Sequence, residues 1–104
     1  MRPIHLVRLD KTNLDKTRPA LVLTRDQVRQ RRHWVTVAPI TTTIRGLTTE
    51  VAVGPANGLD HDSVVSLDNV LTIPVSDLGR QVGRLLPEQE PALAEAIHTA
   101  FDLE

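Results

Sequence analysis

Apolar residues along this chain come in short bursts, and each burst before residue 87 is stopped by proline, glycine or a polar cluster. A buried helix needs about 10–12 residues to complete a face, whereas a strand is complete in about four to eight. The bursts therefore read as strands. Residues 4–9 (Ile-His-Leu-Val-Arg-Leu) alternate loosely, and residues 19–24 (Pro-Ala-Leu-Val-Leu-Thr) form an apolar run of the buried kind. Residues 34–40 are rich in β-formers, with Pro39 marking an edge or a strand terminus. After the turn Arg45-Gly46-Leu47 come residues 48–53, then 63–67 and 70–73 as one long or bulged strand, then 81–86. The connections are a polar loop at 10–17, a basic loop or single helical turn at 25–33, a turn at 54–58 and a turn at 76–78 after Pro74.

Helical periodicity enters at the end. Pro87 stands near the start, Glu88 and Glu90 occupy the first turn, and Leu93, Ala96, Ile97, Ala100 and Phe101 share one face. The predicted fold is mainly β (α+β), with about six strands in a small, strongly curved sheet or barrel and one C-terminal amphipathic helix. No repeat or linker divides the chain, so residues 1–104 read as a single domain.

The core of such a sheet has to be aliphatic, because Trp34 and Phe101 are the only large aromatics, and Trp34 reads as a core or interface residue. There is no cysteine, which removes disulfides, cysteine zinc sites and thiol nucleophiles, and suits a reducing compartment. No apolar stretch approaches the roughly 20 residues of a membrane span. The first residues lack the apolar run of a signal peptide, so a cytoplasmic location is expected.

A net charge of −1 hides a division. Residues 1–45 hold ten Lys/Arg against three Asp/Glu, and residues 46–104 hold two against ten. Either the first stretch forms a basic face for a polyanion, or the two stretches interleave on the surface.

Several chemistries find no support. The histidines at 5, 33, 61 and 98 show no ligand spacing, and Asp60-His61-Asp62 reads as a solvated loop, so no metal or other cofactor is expected. Phosphate-binding glycine loops and a Gly-x-Ser-x-Gly elbow are both missing. Two segments stand out instead. Arg18 opens the run Arg-Pro-Ala-Leu-Val-Leu, and Thr41, Thr42 and Thr43 close the run Ala-Pro-Ile-Thr-Thr-Thr. A guanidinium made rigid by a strand can hold a phosphate through paired N–H bonds, and a threonine hydroxyl adds a neutral donor. Together they suit the charge that builds on phosphorus when a ribose 2′-hydroxyl attacks, a reaction confined to RNA.

The same segments resemble conserved blocks of the MazF/PemK toxins. Residues 18–23 resemble the family's Arg-Pro-Val-Leu-Val-Ile block, residues 38–43 its second block, and residues 62–69 with Thr72 and Ile73 its third, in matching order from about Arg2 to Leu103. The resemblance implies an SH3-like barrel with a C-terminal helix, acting as a homodimer. It implies cleavage of single-stranded RNA at short motifs, leaving 2′,3′-cyclic phosphate and 5′-hydroxyl ends, and a cognate antitoxin as partner. By position, Arg18 and Thr41 match the catalytic pair; Thr42, Thr43, Arg45, Asp68 and Asn69 are the expected RNA contacts. Asp68 is either such a contact, a base, or a turn cap. Departures fall on base preference: the loop at 10–17 is short, the first strand lacks a leading Gly-Asp, and Ser66 and Leu71 stand where some members carry arginine. Two alternatives stay open, a CcdB-like poison of DNA gyrase with this fold and a non-catalytic RNA- or peptide-binding barrel.

Overall fold

The computed structural model describes residues 2–8, 17–25 and 33–103. The expected loops at 10–17 and 25–33 therefore fall largely outside the described residues. Seven strands are found rather than about six: β1 (Pro3–Val7), β2 (Arg18–Val22), β3 (Trp34–Thr41), β4 (Glu50–Val53), β5 (Ser63–Ser66), β6 (Leu71–Pro74) and β7 (Leu78–Arg84). Short 3₁₀ turns η1 (Pro55–Asn57), η2 (Leu67–Asn69), η3 (Val75–Asp77) and η4 (Pro87–Gln89) punctuate them, and helix α1 (Glu90–Ala100) ends the fold. The last strand begins three residues before the expected 81, directly after η3, which lies one residue earlier than the expected turn. No helix among the described residues is long and apolar enough to cross a membrane.

All pairings are antiparallel, in the order β4-β5-β3-β2-β1-β7, with β6 also on β3. β5 and β6 lie on one edge of β3: Ile40 pairs with Val65, and Val37 with Leu71. They are the long bulged strand of the sequence, interrupted by η2. Pro39 faces that interruption and pairs on its other side with Ala20, so it sits inside a central strand rather than at an edge. A residue without an N–H is tolerated where the ladder is already broken.

The alternation of β2 and β3 buries both faces. Leu21, Ala38 and Ile40 join Ile4, Val51, Val65, Leu67 and Leu85 under Leu93 and Ala96 of α1. Ala20, Val22, Val35 and Val37 join Val7 and Ile73 on the other face. The strands thus contribute residues of period two, with one change of parity in β3 between Val37 and Ala38, and α1 residues three apart, to a core that is aliphatic throughout.

The two aromatics stand outside it. Trp34 is 56% exposed at the first residue of β3, opposite Pro74 and beyond the stretch that α1 covers. Phe101 is 54% exposed, one residue past the helix, where the chain turns through Asp102 at φ 53°.

Among the described residues β4 and β7 do not pair, so the sheet is not a closed ladder. Side-chain amides bridge the gap. Buried Asn57 donates to Arg84 O at 2.9 Å and Gln89 Oε1 at 2.6 Å, while its Oδ1 accepts from Gly54 N at 3.0 Å. Gln89 donates in turn to Ala52 O of β4 at 3.3 Å. Backbone meets backbone beside them: a Cβ on Gly83 would strike Asn57 O, and one on Gly58, at φ 89°, would strike Val82 O. Glycine at both positions lets η1 lie against β7.

Candidate functional site

The end of β3 organises the site. Ala20 pairs with Pro39 and Leu21 with Ala38, and continuing that register by two residues sets Arg18 opposite Thr41. Directly opposed residues on antiparallel strands share a face, with Cβ atoms about 4.5–5.5 Å apart. On its other side Arg18 pairs with Val7 of β1. The guanidinium is therefore carried by a strand bonded on both edges, and the side chain itself is exposed.

Two depressions flank this strand end. One, of about 530 Å³, is lined by Arg18, Thr42, Asp60, His61, Ser63 and Arg80 over an apolar floor that includes Leu6, Pro19 and Val82. The other, of about 460 Å³, is lined by Thr41, Thr43, Arg45, Glu50, Asp68 and Asn69, with Ser66 and Pro39. The predicted residues are thus divided: Arg18 and Thr42 in the first, the remaining five in the second. Thr41 and Thr42 are consecutive, so the ridge between the depressions is the end of β3 itself.

The second depression is held by hydrogen bonds. Glu50 accepts from Arg45 N at 3.2 Å and from Leu47 N at 3.1 Å, which folds the loop after β3 around one carboxylate. Thr41 Oγ1 accepts from Thr43 N at 3.1 Å, which orients the hydroxyl and leaves its proton available to donate outward. The interruption at η2 pushes Asp68 and Asn69 out of the ladder and into this depression. There Asp68 Oδ2 accepts from Thr49 Oγ1 at 2.6 Å, and Asn69 donates to Ser66 Oγ at 2.8 Å. Asp68 lies inside η2, and its bond ties it to Thr49, the residue before β4.

Charge is mixed in both depressions, Arg18 and Arg80 with Asp60, and Arg45 with Glu50 and Asp68. Here the halves of the chain interleave rather than forming a basic face. Lys11, Lys16, Arg29, Arg31 and Arg32 lie outside the described residues. No group of three or more His, Asp or Glu among the described residues is placed to hold a metal ion.

Residues 3–101 match the family described as PemK-like, MazF-like toxin of type II toxin-antitoxin system. The chain belongs to this family. Endoribonuclease MazF3 of Mycobacterium tuberculosis is 64% identical over 104 residues, covering 100% of this chain and 96% of that protein. The solved Mycobacterium tuberculosis toxin MazF-mt6 superposes with a TM-score of 0.91 at 63% identity, covering 99% of both chains. An endoribonuclease in complex with its cognate antitoxin from a mycobacterial species superposes with a TM-score of 0.84 at 25% identity, over 98% of this chain and 93% of that one. The antiparallel sheet with its C-terminal helix is thus the MazF-like fold.

Within this MazF-like frame the structure adds residues that sequence reading passed over. Asp60 and His61, read as a solvated loop, are exposed but form one wall of the depression that holds Arg18. Arg80 joins them from β7, which no local signal could indicate, because the wall is assembled from segments far apart in the chain. Glu50 had a faint local signal, an acidic residue three places after Leu47 in a glycine turn.

Proposed function

We propose that this chain is the toxin of a toxin–antitoxin pair, a metal-independent endoribonuclease acting on single-stranded RNA as one domain over residues 1–104. Cleavage proceeds by attack of a ribose 2′-hydroxyl on the adjacent phosphorus, leaving a 2′,3′-cyclic phosphate and a 5′-hydroxyl. The observation that supports the reading is the β2–β3 register, paired as far as Ala20 and Pro39, which, continued by two residues, puts Arg18 across from Thr41 at an open strand end. Arg18, permanently cationic, neutralises charge on the phosphoryl oxygens and bonds to the leaving oxygen. Thr41, oriented by Thr43 N–H, donates to a phosphoryl oxygen or positions the 2′-hydroxyl. The scissile phosphate lies on the ridge between the depressions, with flanking nucleotides in each.

Thr42, Thr43, Arg45, Asp68 and Asn69 contact those nucleotides, and Asp68 and Asn69, an acceptor and a mixed donor–acceptor, read base edges. The working form is a cytoplasmic homodimer. Its partner is a cognate antitoxin whose acidic, apolar segment covers the RNA-binding surface. The likeness to an endoribonuclease solved with its cognate antitoxin supports this pairing.

The test is incubation of purified protein with a mixed RNA pool in EDTA, with 5′-hydroxyl ends sequenced. Cutting at a short motif is expected, and Arg18→Ala and Thr41→Ala should each slow it by about 10²–10³-fold, the usual cost of removing one such donor. A 2′-deoxy nucleotide at the cut site should block the reaction. No cutting together with gyrase trapped on DNA would favour the CcdB-like alternative. Tight RNA binding without cleavage, indifferent to Arg18→Ala, would favour a binding module.

A further inference from the structure

Asp68 is an exposed residue on a turn of three residues, a setting in which a short side chain ordinarily moves among several rotamers. Here one carboxylate oxygen is fixed from behind. Thr49 Oγ1 donates to Asp68 Oδ2 at 2.6 Å, within the range of a short bond from a hydroxyl to a carboxylate. The same residue holds the turn by its backbone, since Leu67 N donates to Thr49 O at 3.0 Å. No side-chain cap closes η2, so Thr49 grips both its first residue and its second.

Thr49 is the fixed member of this pair. It is half-buried and stands one residue beyond Glu50, which pairs with Ser66 in the β4–β5 ladder. Glu50 N donates to Leu47 O at 3.1 Å, and the Glu50 carboxylate accepts from the amides of Arg45 and Leu47, so the chain on both sides of Thr49 is tied down. Branching at Cβ restricts χ1, which aims the hydroxyl at little further cost in entropy. Thr49 does not line the depression that Asp68 lines with Thr41, Thr43 and Arg45, and reaches that space only through the carboxylate. With Oδ2 engaged, Oδ1 is the oxygen left to meet a substrate. No ion pair joins Asp68 to Arg45 among the described residues, and the tie holds in place a carboxylate that rotation could bring to that cation.

We infer that Thr49 is a positioning residue for the reaction, one that acts through Asp68 by orienting its carboxylate so that Oδ1 meets the RNA beside Thr41. The inference rests on the endoribonuclease reading above, and it is the same whether Asp68 contacts a base edge or takes a proton. Either task needs the oxygen at one place, and a displacement of about 1 Å is enough to be felt in the rate.

The test uses full-length protein and an RNA oligonucleotide carrying a cut site mapped on the mixed pool. Single-turnover rate, and affinity for the same oligonucleotide with a 2′-deoxy cut site, are measured for the parent, Thr49→Val, Asp68→Ala and the double variant. Valine keeps the branched shape and removes the hydroxyl. Thr49→Val should lose about 10–10²-fold in the same parameter, rate or affinity, that Asp68→Ala loses. In the Asp68→Ala background the same change should cost less than about threefold, because the group it acts through is gone. Thr49→Ser, which keeps the hydroxyl, should stay within about threefold of the parent, and Thr49→Ala should match Thr49→Val. A purely structural role would cost the same factor with and without Asp68, so additivity of Thr49→Val and Asp68→Ala overturns the assignment. So does a Thr49→Ser as impaired as Thr49→Val, or a Thr49→Val within about threefold of the parent. If Thr49→Val fails to fold, Thr49→Ala takes its place in the same comparison. If the unmodified protein cuts no RNA, the endoribonuclease reading itself has failed, and this assignment with it.

Discussion

Replacing Asn57 with alanine tests whether two side-chain amides do the work of a missing strand pairing between β4 and β7. Asn57 is 2% exposed and uses its whole hydrogen-bonding capacity. Its oxygen accepts from Gly54 N at 3.0 Å and Gln89 Nε2 at 3.3 Å, and its nitrogen donates to Arg84 O at 2.9 Å and Gln89 Oε1 at 2.6 Å. Truncation leaves Gly54 N–H and Arg84 C=O without these partners. Gln89 loses less, since Leu86 N at 2.9 Å and Ala52 O at 3.3 Å remain bonded to it. Two backbone groups that each lose a buried partner, at about 1–3 kcal/mol each, give an expected loss of about 2–5 kcal/mol, allowing for partial hydration of the vacated space.

Against a typical domain stability of about 5–15 kcal/mol this is a large fraction. A chain of this size should lose about 10–30 °C in Tm, at roughly 4–8 °C per kcal/mol. Urea unfolding followed by circular dichroism measures it, with parent and variant at one protein concentration because association would shift both midpoints. The double variant with Gln89→Ala supplies the coupling, which should fall between about 0.5 and 3 kcal/mol for residues bonded to one another. A loss below about 1 kcal/mol, or strict additivity with Gln89→Ala, would show that the sheet ends do not depend on this bridge.

Leu93→Ala, at a residue 1% exposed between α1 and the sheet, should cost about 2–5 kcal/mol and raise amide exchange across α1; a loss under 1 kcal/mol would place the helix outside the cooperative core. Glu50→Ala should release the amides of Arg45 and Leu47, visible as faster exchange at those positions, while global stability falls by only about 0.5–1.5 kcal/mol. Unchanged exchange there would show that the loop after β3 is held by something else. The single tryptophan, Trp34, should emit as a hydrated indole and be readily quenched by acrylamide; shielded emission would mean that another surface covers it.

The parts of this fold that could be read from the sequence are those set by local periodicity. Leu93 and Ala96 recur at helical spacing, and Val35 and Val37 alternate with Ala38 and Ile40 after a single change of parity between faces, so elements and core were legible. Strand ends shifted by a few residues because hydrogen bonding to a neighbour, not composition, decides where β7 begins at Leu78. Of the two readings of Trp34, core or interface, the core one fails, because hydrophobicity favours burial while the first position of β3 leaves the side chain 56% exposed. The site was legible only where one segment supplied it. Arg18, the threonines after Ile40 and the pair Asp68–Asn69 each lie within a short motif. The wall formed by His61 and Arg80 joins a loop to a distant strand, and no spacing in the chain encodes that meeting.

One local feature links the fold to the chemistry. Pro39 cannot donate to a ladder, and the strand across from it breaks there into β5, η2 and β6. Had β5 continued into β6 without interruption, Asp68 and Asn69 would alternate across the sheet like their neighbours. The break instead turns both outward beside Thr41, while β2, on the unbroken edge, pairs with β3 as far as Pro39. The site therefore needs a strand that is regular on one side and interrupted on the other. A proline two residues before the hydroxyl provides for both: β3 holds its course to Thr41, and the partner edge opens where the proposed function puts a nucleotide.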